Sequence, residues 1–175
     1  MFSFLEKKAG VDEIASVLAL FVLGRAPGMN DDDEFNRFAG SAGFGSIDRS
    51  LFDAERRYLR AFAIDYGTAM VFGVNDVKTN VILDAFQMHT LADVRTGKLP
   101  PDFMDSLTER FAIYAEAVNT PSAIGPHYEV ARVFAEYLGS PAGSLDPFPI
   151  VPCAILFCSY IKLVTSLLKS IAIQF

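Results

Sequence analysis

The chain is 175 residues long, with 51% hydrophobic residues, 21% charged residues and a formal net charge of −6. This length suits one domain, and it can bury a sizeable core without disulfides. The 15 Lys and Arg residues are scattered along the chain. Because there is no basic stripe, nucleic acid is excluded as a partner and an anionic membrane surface is disfavoured.

Apolar residues recur at helical spacing from the start of the chain. The segment 11–23 predicts a helix with acidic residues in its first turn and Gly24 as its stop. The segment 24–46 is rich in glycine and acidic residues, and it predicts a flexible connector. A short helix over 31–39 is expected inside it, because acidic side chains cluster where helices begin.

The longest helical pattern covers residues 46–73, with Ser46 or Ser50 as its N-cap. Gly67 and Gly73 predict a kink near the first position or a break at the second. One face of the predicted helix carries Leu51, Ala54, Tyr58, Ala61, Phe62, Asp65, Ala69 and Phe72.

Four further segments follow at helical spacing. They cover 76–95, 102–118, 123–138 and 150–175, and Asp76 is a good N-cap for the first of them. The buried stripe of that helix is predicted to be Val77, Val81, Ile82, Ala85, Met88 and Ala92. Alternation typical of strands is weak everywhere, so no strand is predicted. The sequence therefore predicts an all-α fold, a single-domain helical bundle of five to seven helices over residues 1–175.

The C-terminal segment 150–175 is apolar and long enough to cross a bilayer. Lys162 lies near its middle, where a Lys costs roughly 2.5–3.5 kcal/mol on membrane insertion scales. A narrow polar stripe is typical of a core helix with one solvent-exposed edge. Here it consists of Ser159, Lys162, Ser166, Lys169 and Ser170. We therefore expect a buried or oligomer-forming helix, and we consider a membrane anchor the weaker interpretation.

Cys153 and Cys158 are the only cysteines. Both lie in an apolar run, which predicts two buried free thiols on different sides of a helix. Free thiols fit a reducing compartment. The N-terminus has its short apolar part before its charges, unlike a secretory signal, so a cytoplasmic protein is expected.

The sequence does not match the motifs that would indicate catalysis or a cofactor. The acidic run 31–34 does not fit an EF-hand in either register, so we expect a solvated helix N-terminus there. The glycines of 40–46 lack the Lys and Ser or Thr of a phosphate-binding loop. Neither His89 nor His127 has a Glu three residues before it, as a di-iron bundle requires. We predict no metal, no cofactor and no catalytic triad.

Asp65 is the most informative single residue, because it shares a predicted buried face with Tyr58 and Phe62. A buried carboxylate must be paired, hydrogen-bonded or protonated. The simpler interpretation is an ion pair or a capping contact. The functional one is a polar anchor in a ligand pocket, to which Tyr58, Phe62, Tyr66 and His89 are the candidate neighbours. His89 is otherwise expected to bond Asp93 one turn on or a backbone carbonyl.

Two functions remain open at this stage. The first is a non-enzymatic association domain that forms a homodimer or other homo-oligomer through its C-terminal helix. The second is a bundle that binds a small apolar ligand in a Phe-lined pocket with Asp65 as polar anchor. A tail-anchored membrane protein is a third and weaker alternative.

Overall fold

The structure is a computed structural model, and it describes residues 9–41, 47–141, 147–170 and 173–174. Within these ranges the chain forms seven α-helices and one pair of two-residue strands. The elements are β1 (Ala9–Gly10), α1 (Val11–Val22), α2 (Asp31–Ser41), α3 (Arg49–Phe72), α4 (Val77–Arg95), α5 (Phe103–Asn119), α6 (Pro126–Tyr137), α7 (Pro147–Ser170) and β2 (Ile173–Gln174). The predicted all-α bundle is confirmed, at the upper end of the expected number of helices.

The two short strands are a difference from the sequence prediction. β1 and β2 pair in parallel, with Ala9 opposite Ile173 and Gly10 opposite Gln174. Two residues are too few to carry a periodic pattern, so the sequence held no signal for them. The pairing brings the segment before α1 next to the segment after α7.

Aspartates define the starts of two central helices. Asp76 caps α4 as predicted, since its side chain accepts a backbone N–H two residues on at 2.8 Å. The cap of α3 is Asp48, which accepts a backbone N–H three residues on at 2.9 Å. The prediction of Ser50 as cap is wrong, because its hydroxyl donates to Asp48 instead. The other predicted cap, Ser46, lies outside the described residues, as does the rest of the glycine-rich part of the 24–46 connector from residue 42 on.

α3 is the central helix, and it packs most extensively against α7. It continues unbroken through Gly67, where a kink was one of two expectations, and ends at Gly73, which has a positive φ of 101°. A Cβ at Gly67 would lie 3.0 Å from a methyl carbon of Val164. The missing side chain at Gly67 therefore allows α3 and α7 to approach closely.

The predicted apolar face of α3 is only partly right. Leu51 was expected inside and is exposed, whereas Arg60 is fully buried. Helices α1, α4, α5 and α7 all contact α3, so its burial extends beyond one face. The buried residues are Phe52, Glu55, Arg56, Tyr58, Leu59, Arg60, Ala61, Phe62, Ala63, Ile64, Gly67 and Thr68.

The predicted stripe of α4 is largely wrong. Val77 and Met88 were expected in the core and are among the exposed large hydrophobic residues, whereas Ile82 is buried as predicted. The buried side of α4 carries Thr79, Ile82, Phe86, Thr90 and Asp93. The Thr90 hydroxyl donates to a backbone carbonyl of its own helix at 2.9 Å, which makes burial of a polar residue tolerable.

α7 has an inner side that forms one wall of the core and packs against α3 and α6. Its buried residues are Ile150, Cys153, Leu156, Phe157, Tyr160, Ile161, Val164, Leu167 and Leu168. By length and composition alone, Phe148–Ser170 would also be a candidate membrane span, a test that core helices pass too.

The two cysteines differ in exposure. Cys153 is buried and Cys158 is exposed, so the prediction of two buried thiols is wrong for Cys158. Five positions on a helix place them on different sides, as expected. Burial raises the pKa of the Cys153 thiol far above its ordinary value.

Candidate functional site

A groove of about 710 Å³ lies between α2 and α7, and we call it the α2–α7 groove. This volume is in the range of ligand- and peptide-binding clefts. Its apolar lining includes Met29, Phe38, Phe148, Val151, Ile155 and Leu163. Its polar lining includes Asn30, Glu34, Ser159 and Tyr160. The groove is thus apolar along most of α7 and polar where Glu34 meets Tyr160.

The outer side of α7 changes chemistry along its length. Its first half exposes Phe148, Val151 and Ile155, which lie three and four residues apart and so share one side. Its second half exposes the predicted polar stripe of Ser159, Lys162, Ser166, Lys169 and Ser170, interrupted by Leu163. The first half therefore presents an apolar ridge, which forms one wall of the α2–α7 groove.

At the groove, two buried arginines and three partly exposed carboxylates form the arginine cluster, which consists of Arg56, Arg60, Asp31, Glu34 and Asp53. Arg60 Nη2 donates to Asp31 and to Glu34, each at 2.9 Å. Arg56 donates to Asp31 at 2.7 Å, to Asp53 at 2.8 Å and to Glu34 at 3.0 Å. Both arginine side chains are almost fully buried. Three carboxylates against two guanidiniums leave a formal charge of −1.

Tyr160 joins the arginine cluster to the groove. Its hydroxyl donates to Glu34 at 2.6 Å, and its ring lies 5.2 Å from the Arg60 guanidinium. The Phe21 ring lies 5.6 Å from the same guanidinium. The Nε and Nη1 atoms of Arg60 have no hydrogen-bond partner among the described residues, and the two rings supply cation–π contact instead.

The electrostatics of this cluster keep Arg60 charged. Burial alone would lower the pKa of Arg60, but the surrounding Tyr160, Glu34 and Asp31 raise it above its ordinary value. Burial also raises the pKa of the Tyr160 hydroxyl, which therefore stays a hydrogen-bond donor. The cluster is a fixed set of charges that ties α2 to α3 and α7.

This cluster corrects the prediction of a solvated acidic run at 31–34. Asp31 and Glu34 turn towards the buried arginines. Asp32 and Asp33 remain exposed, and Asp32 pairs with Arg49 at 2.8 Å. The first and fourth acids of the run thus bind the arginines, because a step of three residues returns to the same side of a helix.

A second and smaller cavity contains Asp65, and we call it the Asp65 pocket. It measures about 200 Å³ and lies between α3, α4 and α5. Its apolar walls are Leu83, Phe86, Met104, Leu107 and Phe111, and its polar groups are Asp65, Gln87, Thr90 and Thr108. Asp65 is half-buried. It makes no hydrogen bond or ion pair with any residue that the structure describes, so the expected partner is missing.

Burial raises the pKa of the Asp65 carboxyl above its ordinary value. Desolvation disfavours the charged form, and no residue that the structure describes opposes it with a hydrogen bond or an ion pair. Of the three sequence alternatives for a buried carboxylate, the pocket therefore favours a shift towards the protonated form.

The other predicted site residues do not line the Asp65 pocket. Tyr58 is buried and stacks on Phe103 with ring centroids 4.9 Å apart. The ring centroid of Phe62 lies 5.6 Å from that of Phe111, which is a wall of the pocket, and 6.1 Å from that of Tyr66. These three rings pack in the core around α3 rather than facing the carboxylate of Asp65.

His89 is also separate from the pocket. Its Nε2 lies 2.9 Å from a carboxylate oxygen of Asp12 in α1. The expected bond to Asp93 is not formed, because Asp93 accepts from Lys98 at 2.7 Å. His89 thus links α4 to α1, and the prediction of its partner is wrong.

Among the described residues, no three His, Cys, Asp or Glu side chains form a group that could hold a metal ion. Comparison of the chain with protein-family models, with curated proteins and with solved structures found no match.

Proposed function

We propose that this chain is a non-enzymatic association domain that pairs with a second copy of itself through the α2–α7 groove. The observation that carries the proposal is the apolar ridge on the outer side of α7, next to an apolar groove on the same surface. Contiguous exposed apolar side chains of this kind mark interaction sites.

A second copy is the occupant that this surface fits best. In a two-fold contact the same patch serves both partners, so it must be self-complementary. Here the ridge formed by Phe148, Val151 and Ile155 is one wall of a groove of about 710 Å³. With a two-fold axis near Val151, the ridge of each copy would pack against the ridge of the other.

The polar end of the groove would set the limits of that contact. Glu34 and Tyr160 are already bonded to each other, and the lysines of α7 start at Lys162. Charged side chains favour the rim of an interface over its centre. The apolar half of α7 would therefore be the centre of the contact and its Ser and Lys half the rim. A cytoplasmic location is part of the proposal, because both cysteines are free thiols.

The test is the oligomeric state of the full chain and of Ile155→Glu. Ile155 is 63% exposed, so a charge there is tolerated in a monomer but disrupts an apolar interface. We expect the unmodified chain to sediment as a dimer and Ile155→Glu as a folded monomer. Met88→Glu is the matched control, because Met88 is 62% exposed on α4, away from the groove, and should leave the dimer intact.

A chain that stays monomeric at high micromolar concentration would overturn the proposal. Vesicle flotation separates it from the membrane alternative. If the full chain floats with neutral vesicles and Ile155→Glu does not, the outer side of α7 contacts lipid rather than a second copy.

A further inference from the structure

The Asp65 pocket has a carboxylate in need of a partner. The carboxylate faces a cavity of about 200 Å³ with apolar walls, and no described residue bonds it. A half-buried acid without a partner is destabilising, and folded proteins normally pair such groups. A ligand with a positive charge would supply what the protein does not.

The hydroxyl groups of the pocket point to the same ligand chemistry. The Thr90 hydroxyl donates to the carbonyl of Phe86 at 2.9 Å, and the Thr108 hydroxyl donates to the carbonyl of Met104 at 2.9 Å. A hydroxyl has only one hydrogen, and each threonine already uses it. Each threonine oxygen can therefore only accept a hydrogen bond from a ligand. With Asp65 included, the pocket offers acceptors at three positions, and the exposed amide of Gln87 can both donate and accept. A ligand that donates several hydrogen bonds and accepts none matches the three acceptors, and an ammonium group is such a donor.

The apolar walls restrict the rest of the ligand. Phe86 and Phe111 both line the cavity, and aromatic rings attract cations over their faces. An engineered apolar cavity of about 150 Å³ holds one benzene molecule, so the body of the ligand is limited to about one ring.

We propose that the Asp65 pocket binds a small protonated primary amine whose apolar body is no larger than one aromatic ring. The ammonium would bond Asp65 and the two threonine oxygens, and the body would lie against the apolar walls. An ammonium beside Asp65 also opposes the burial that raises the pKa of this carboxyl. The proposal is independent of the proposed association, since no residue lines both cavities.

The experiment is calorimetric titration of the full chain at neutral pH with benzylamine and with benzyl alcohol, which has the same body without the charge. We expect benzylamine to bind at one site per chain and at least tenfold more tightly than benzyl alcohol. Asp65→Asn should reduce benzylamine affinity at least tenfold and leave benzyl alcohol unchanged. Asp84→Asn is the control, because Asp84 is exposed on α4 and does not line the pocket.

Two results would overturn the proposal. One is equal affinity for the amine and the alcohol with no effect of Asp65→Asn, which would mean that the pocket is merely apolar. The other is no saturable binding of benzylamine to a chain that melts cooperatively. Folding of Asp65→Asn is checked by its thermal melt, since Asp65 holds no partner whose loss would unfold the chain.

Discussion

At the scale of single residues, Asp65 is a polar group whose environment does not satisfy it. The sequence placed it on a buried face, and it is half-buried beside Phe86 and Phe111. What the sequence did not contain was the identity of its neighbours. A partner that lies on another helix is fixed by packing, and packing geometry has no local signal.

Asp65→Asn should stabilise the chain at neutral pH. The substitution removes a desolvated charge, and we expect a gain of about 1 kcal/mol in the free energy of unfolding, at the low end for a half-buried group. Because the folded state raises the pKa of Asp65, the folded chain binds its proton more readily than the unfolded chain does. The contribution of Asp65 to stability therefore falls as pH rises through its folded pKa, and the variant and the parent converge in acid.

Urea titrations of both chains at several pH values measure this difference. A parent chain more stable than Asp65→Asn at neutral pH would show that the carboxylate has a favourable partner after all. A difference that does not change with pH would show that its charge is not the cause.

His89 illustrates the same limit. A contact one helical turn away can be predicted from the sequence, so Asp93 was the expected hydrogen-bond partner of His89. The observed partner is Asp12, which is 77 positions away along the chain. By contrast, Asp76 was predicted correctly as a cap, because a cap and the N–H that it accepts are neighbours in sequence.

At the scale of elements, the arginine cluster explains how α2 is attached. α2 is short and polar, and its first turn contains four acidic residues. Its apolar contact comes from two aromatic side chains, since Phe38 is buried and both Phe35 and Phe38 pack against Phe52 of α3. Asp31 and Glu34 add ion pairs to Arg56 and Arg60 of the same helix. The sequence places Arg56 and Arg60 one turn apart, but α3 carries several other charged residues, so no local signal marked these two as buried.

Arg60→Ala should be strongly destabilising. Without Arg60, a single guanidinium, that of Arg56, faces three carboxylates, and a fully buried side chain is lost, at a cost of about 3–5 kcal/mol. The control is Arg57→Ala, at a half-buried position with no hydrogen bond or ion pair to a described residue. That control should change the free energy of unfolding by only about 0.5 kcal/mol.

Chemical denaturation measures both variants, and hydrogen exchange locates the effect. In Arg60→Ala we expect the amides of α2 to lose protection before those of α3. Equal effects of Arg60→Ala and Arg57→Ala would mean that the cluster does not hold α2 in place.

The sequence predicted the positions of the helices better than it predicted their buried sides. The positions of α1 to α6 were predictable to within three residues, because helical spacing and stop residues are local features. The prediction of a helix over 150–175 is wrong at its end, since α7 ends at Ser170 and β2 follows at Ile173–Gln174. The buried side was not predictable for α4, whose apolar residues are distributed around the helix. Val77 and Met88 look like core residues in isolation, and only the neighbours of α4 decide that Thr79 and Thr90 are inside.

At the scale of the whole molecule, α3 and α7 form the centre and the two cavities involve different neighbours of α3. The α2–α7 groove opens beside α7, and the Asp65 pocket lies towards α4 and α5. One chain can therefore carry an association surface and a ligand pocket without competition between them. Neither arrangement was predictable from the sequence, because a cavity is a property of the assembled core.

The inner side of α7 makes a prediction about the whole fold. Deleting residues 147–175 removes a wall of nine buried side chains, of which Phe157 is an example with no exposed surface. Loss of a single large core side chain typically costs about 2–5 kcal/mol, and the stability of a domain is about 5–15 kcal/mol.

The fragment 1–146 should therefore be unfolded or aggregated, which circular dichroism and sedimentation would detect. A detachable membrane anchor would behave in the opposite way, since its removal leaves a folded and more soluble domain. If the fragment is monomeric and melts cooperatively near the temperature of the full chain, α7 is not a structural wall. The dimer proposal would then lose its basis, because the ridge on α7 would no longer be held in place beside the groove.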